Sequence, residues 1–198
     1  MILFYAGHGV LDKDLNYFLG TPDIDFNQPS TNGLAYEDFE RIIDGVPQLR
    51  KLVLIDACHS GEIDKDEVEL LSQQFAVNED IKFRNAGAGI QRKNLGFKSS
   101  ADLMAELFTD LRKGTGATVI SSAGGAEFAM ESNEWKNGLF TYCLLNGLKN
   151  KKADLNRNGE IVLSELQIYL RNEVLRISKG QQQPTSRMEN PAMDYRWW

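Results

Sequence analysis

The sequence predicts an α/β domain with a mostly parallel sheet flanked by helices, and three observations predict it. Residues 51–57, KLVLIDA, form a run that is apolar on both faces, as a parallel strand covered by helices on each side requires. Residues 35–44, AYEDFERIID, precede it and place Phe39, Ile42 and Ile43 on one helical face, so that strand, helix and strand follow in order. A further strong apolar run, ATVISS at 117–122, arrives after another helical pattern.

Taken in order, residues 1–5 read as a buried strand running into a Gly-rich turn, Ala6-Gly7-His8-Gly9, and Tyr17, Phe18 and Leu19 as a second short apolar piece. Turn residues dominate from there to Gly33. The helix at 35–44 ends at Val46-Pro47, because proline cannot continue it. Between 62 and 99 the charges, Gln, Asn and Gly break every period, which marks a long connection of the kind that is either functional or irregular. Order returns with SADLMAELFTDLRKG, where Ser99 or Ser100 can cap, Leu103, Leu107 and Leu111 line one face and a glycine stops the helix. After the strand at 117–122, SAGGAEFAMESNEWKNG reads as a loop, 139–148 as a largely apolar helix and 163–177 as an amphipathic one. The tail, QQQPTSRMENPAMDYRWW, is polar and closes on a doubled Trp suited to docking as a final strand.

Composition narrows the function. A chain of 198 residues, 42% hydrophobic and 25% charged, has the make-up of one globular domain with a substantial core, here 1–198. Its formal charge is −6 and its Lys and Arg are scattered, so the basic footprint of a nucleic-acid binder is missing. Two cysteines make no disulfide framework, and with two histidines at no ligand-like spacing they argue against a zinc site. Reduced thiols fit a cytoplasmic setting. No apolar run approaches the roughly 20 residues that span a bilayer, and the opening lacks the positive flank of a signal peptide. The chain begins on a hydrophobic strand with no lead-in, from which we expect further domains upstream in the native polypeptide.

Two strands end in reactive residues, and open α/β sheets bind ligands beyond the carboxyl ends of their strands. His8 follows the first strand, and Cys58 closes the stretch KLVLIDACHSG. If those strands are parallel neighbours, imidazole and thiol emerge at one rim. That pair is the minimum equipment for nucleophilic acyl transfer. Gly9 has no side chain to obstruct approach, so its N–H, with that of Cys58, is placed to receive the oxyanion. His59 is the competing base, but adjacent strand residues point to opposite faces, which favours His8. Cys143 lies inside an apolar helix and reads as packing.

The segments FYAGHG and IDACHSG resemble the two motifs of caspase-like cysteine peptidases, the bacterial caspase-like and metacaspase branch in particular. GATVISSAGGAEFAMES and NGLFTYCLLNGL follow in the order that resemblance implies, over nearly the entire chain. By resemblance His8 is the base, Cys58 the nucleophile, and Gly9 and Cys58 the oxyanion donors. It also implies a large unit carrying the histidine and cysteine strands (1–61), a linker (62–99) where such enzymes often cut themselves, and a small unit (100–198), with strands that normally precede the histidine strand missing here. Lys82, Arg84, Arg92 and Lys93 in the linker suit a basic-specific enzyme.

True caspases carry Q-A-C-[RQG]-G around the nucleophile, whereas this chain has Asp56-Ala57-Cys58-His59-Ser60-Gly61. Positions 56 and 58 project to one side of an extended chain. A negative Asp56 in the pocket for the residue before the scissile bond favours arginine or lysine over aspartate; the other reading is a carboxylate bonded to turn amides. Glu131 matches a position where metacaspase-like enzymes often carry a second pocket acid. The expected partner is therefore a protein or peptide substrate, with no nucleic acid, membrane or required cofactor.

A second signal is DLNRNGEIVLSE, in which Asp154, Asn156, Asn158, Gly159, Ile161 and Glu165 fit the Ca²⁺ loop of an EF-hand. It is single where EF-hands usually pair, and an Asx-turn followed by a helix cap fits the same residues. Two other functions stand beside the peptidase: a catalytically inactive caspase-like interaction module, and a Ca²⁺-responsive binding domain.

Overall fold

The computed structural model describes residues 1–14, 16–59, 81–83, 117–122, 129–187 and 194–198, and for 58, 59, 81–83 and 187 the main chain alone. Its centre is β4 (Lys51–His59), whose side chains are buried from Lys51 to Ala57. Burial on both faces follows from two apolar layers. Leu52 and Leu54 enter one core, while Val53, Ile55 and Ala57 enter another.

β1 (Ile2–Leu11) and β6 (Ala117–Ser121) flank β4 in parallel, giving the mostly parallel middle that the apolar runs predict. Antiparallel strands complete the sheet: β2 (Tyr17–Leu19) and β3 (Leu34–Ala35) beyond β1, and β9 (Thr185–Arg187) beyond β6. The order is β3-β2-β1-β4-β6-β9. A second, antiparallel sheet has the order β5-β7-β8, from β5 (Ile81–Phe83), β7 (Met130–Ser132) and β8 (Asn137–Gly138).

Three helices among the described residues cover the large sheet. α1 (Tyr36–Asp44) packs Tyr36, Phe39 and Ile43 beneath one face; Ile42, expected inward, is 50% exposed, because the i, i+3, i+7 stripe starts at Tyr36. Lys51 holds the far end of α1, donating from Nζ to the Ile43 carbonyl at 2.9 Å, where a cation suits the helix dipole. α2 (Leu139–Lys149) and α3 (Leu163–Ile177) cover the other face, over Leu52, Leu54 and Ile120, with Met130 of β7 in the same core.

Several expectations are corrected. The turn at residues 6–9 is strand: β1 runs unbroken to Leu11. The opening is also not buried on both faces. Ile2 is 62% and Phe4 45% exposed, because they share a face with Leu52 and Leu54 but lie beyond the reach of α2 and α3. The loop after β6 contains the β7–β8 hairpin, and β5 lies within the 62–99 connection. Among the described residues the final strand is β9. The doubled Trp instead follows an isolated bridge, Val162 with Arg196, and the Trp197 N–H donates to the Ile161 carbonyl at 2.8 Å. Among the described residues no helix is long and apolar enough to cross a membrane.

Candidate active site

β1 runs extended through Gly7, His8 and Gly9, and two tyrosine rings occupy the space that side chains at the glycines would take. Tyr5 reaches along its own strand over Gly7, where a Cβ would stand 2.5 Å from the phenol oxygen. Tyr17, a diagonal neighbour on β2, lies across Gly9 in the same way. The Tyr5 hydroxyl donates to the His8 carbonyl at 2.8 Å, with the Gly20 carbonyl 3.0 Å away, and the Gly20 N–H donates to the same His8 oxygen at 2.7 Å. His8 is thereby fixed at its main chain, and alternation turns it to the face opposite the tyrosines. It is half-buried, with the Phe26 ring edge-on at 5.8 Å.

In the parallel ladder His8 is paired with Cys58 and Gly9 with His59. The two residues singled out for acyl transfer therefore stand side by side on adjacent strands, toward their carboxyl ends. Of Cys58 and His59 the structure describes the main chain, so their side chains, and the competition between the two histidines, lie outside the described atoms. Gly9 is buried, between Leu19 on β2 and His59 on β4.

Asp56, two residues before Cys58, is fully buried. Its carboxylate accepts the Thr141 hydroxyl and, at 3.3 Å, the Thr141 N–H. The reason lies in α2. Its N-cap is Gly138, its first turn carries no acid, and no side chain of its own caps it. A carboxylate from β4 supplies the missing acceptor at the positive end of the helix. The carboxylate thus bonds a helix terminus where the sequence suggested turn amides, and Thr141 is a partner that sequence reasoning missed.

Glu131 is half-buried in the middle of β7, between Lys82 of β5 and Gly138 of β8 in register. Gly138 caps α2, so the strand bearing Glu131 connects to the Asp56 anchor through one short hairpin. Lys82 is placed through its main chain; Arg84, Arg92 and Lys93 lie outside the described residues. Two more groups that sequence reasoning missed sit near the rim. Ser122 donates its N–H to the Ile55 carbonyl at 2.8 Å and its hydroxyl to the Ala57 carbonyl at 3.2 Å. The buried Gln182 side chain bonds both Ser122 and Met130. Gln182, within a polar run, carried no sign of its role in the sequence.

Cys143 is buried in α2, and burial, helped by the charge of Glu173, pushes its thiol up to about 12. It is unreactive near neutral pH. At the 154–165 loop Asp154 accepts the N–H groups of Asn158 and Gly159, and Glu165 those of Asn156 and Val162. Among the described residues no group of three or more His, Cys, Asp and Glu is placed to hold a metal ion.

A family model, Peptidase_C14, described as the caspase domain, matches residues 1–193. No curated protein matches the chain.

Proposed function

Since this chain belongs to the Peptidase_C14 caspase-domain family, we propose that it is a cysteine endopeptidase in which His8 and Cys58 act as base and nucleophile and the cut follows arginine or lysine. The observation that carries this reading is the pairing of His8 with Cys58 in the parallel ladder. Register partners on neighbouring strands share a face of the pleat, within reach of a common substrate.

The chemistry then runs in two halves. His8 takes the thiol proton, the thiolate adds to the carbonyl carbon, and the N–H groups of Gly9 and Cys58 receive the oxyanion. The C–N bond breaks as the imidazolium returns its proton to the departing amine. Water, deprotonated by the same imidazole, hydrolyses the thioester and frees Cys58. No cofactor enters these steps.

Selectivity rests on charge. Asp56 occupies the strand position two before the nucleophile, and Glu131 lies on the strand joined to the same helix end, so a cationic side chain is favoured and a carboxylate repelled. Matched fluorogenic peptides differing at one residue test this. Cleavage after Arg is expected to exceed cleavage after Asp by about 10²-fold in kcat/KM, the worth of a charge-assisted hydrogen bond of ~2–3 kcal/mol. Faster cleavage after Asp would remove the proposed pocket.

The 154–165 loop we assign to holding the α2–α3 connection. Glu165 is 7% exposed, and its two oxygens serve two N–H groups of the loop and the helix start. Glu165→Ala is expected to lower stability by about 2 kcal/mol in urea denaturation, since both donors lose a charged acceptor. A change below a few tenths would show that the carboxylate does not hold the loop.

A further inference from the structure

Gln182 is a polar side chain with no exposed surface, in a run, QQQP, that reads as a solvated tail. A buried carboxamide requires partners, and this one has a partner at each end. Its Oε1 accepts the Met130 N–H at 2.9 Å and its Nε2 donates to the Ser122 carbonyl at 2.9 Å. The amide can face only one way, since the N–H needs an acceptor and the carbonyl a donor. Its own backbone is clasped by Ser178 at the end of α3: the Gln182 N–H donates to Ser178 Oγ at 3.1 Å, and that hydroxyl donates to the Gln182 carbonyl at 3.2 Å.

The two partners belong to two different parts of the candidate site. Ser122 is bonded to Ile55 and Ala57, the latter adjacent to Cys58. Met130 is adjacent to Glu131 and lies in β7. One side chain, seated on a helix end, thus ties the strand of the proposed nucleophile to the strand of the proposed pocket acid. We propose that Gln182 is a positioning residue that fixes Glu131 relative to Cys58, so that a bound basic side chain brings its scissile carbonyl to the sulfur. This rests on the peptidase reading above, and Gln182 touches neither substrate nor reacting atoms.

The test compares two rates in two variants. Gln182→Met keeps the shape and loses both bonds; Gln182→Glu keeps the acceptor for Met130 and turns an oxygen toward the Ser122 carbonyl, and carries the experiment if the first variant is insoluble. For a peptidyl-arginine fluorogenic substrate, kcat/KM is expected to fall by about 10²-fold in the first and at least ~10-fold in the second, the size of a 1 Å misplacement, while alkylation of Cys58 by iodoacetamide, which needs no pocket, stays within about two-fold. A parallel fall in both rates would assign Gln182 to folding of the rim alone, and an unchanged kcat/KM would remove any role; either overturns the proposal. A wild type that turns over no peptide overturns the peptidase reading itself, and that result is read before any variant.

Discussion

Replacing Cys58 with alanine is expected to abolish peptide hydrolysis, and replacing His8 with alanine to lower kcat/KM by about 10⁴-fold, the upper range for loss of a general base. The first change removes the atom that forms the thioester. The second leaves the sulfur without a positioned proton acceptor and the leaving amine without a donor. Because the two act as one unit, the double variant is expected to be no worse than Cys58→Ala alone. A His8→Ala protein keeping a tenth of the activity would move the base elsewhere, with His59, paired in register with Gly9, the next candidate. The same Cys58→Ala protein is expected to stay intact across residues 62–99, where Lys82, Arg84, Arg92 and Lys93 offer basic cut sites. Nicking there at the wild-type rate would rule out self-cleavage.

The second large effect is at Asp56, where two roles meet and two substitutions separate them. Asp56→Ala strips the acceptor from the Thr141 N–H and hydroxyl at a buried helix start. Each orphaned donor is costly, and a loss of about 3 kcal/mol is expected in denaturant unfolding. Asp56→Asn retains an acceptor and drops the charge. Its stability is expected to change by about 1 kcal/mol, while the preference for arginine over a neutral residue falls at least ~10-fold. An Asn variant with its arginine preference intact would reduce Asp56 to the anchor of α2.

β4 is legible in the sequence because a strand covered on both faces has no polar position in its interior, and Leu52-Val53-Leu54-Ile55 meets that condition. α2 and α3 are legible for the same reason, each carrying its apolar stripe without help from distant residues. The pairing of β1 with β4 is anticipated by two apolar runs that each close on a reactive residue, His8 on one and Cys58 on the other. What is not legible depends on partners far along the chain. Gly7 and Gly9 resemble a turn until Tyr5 and Tyr17 are seen lying over them. β7 and β8, with three and two residues, are too short to show a period. The acceptor at the start of α2 comes from a residue 85 positions earlier, and no local pattern announces it.

The pairing of thiol and imidazole is tested most directly by labelling with a peptidyl-arginine acyloxymethyl ketone, followed by peptide mass mapping. Cys143, buried and with its thiol pushed up to about 12, serves as the internal control in the same molecule. The expected result is one adduct, on Cys58, lost in His8→Ala protein of unchanged fold. No adduct on Cys58 in the wild type, or equal labelling with and without the His8 imidazole, would contradict it.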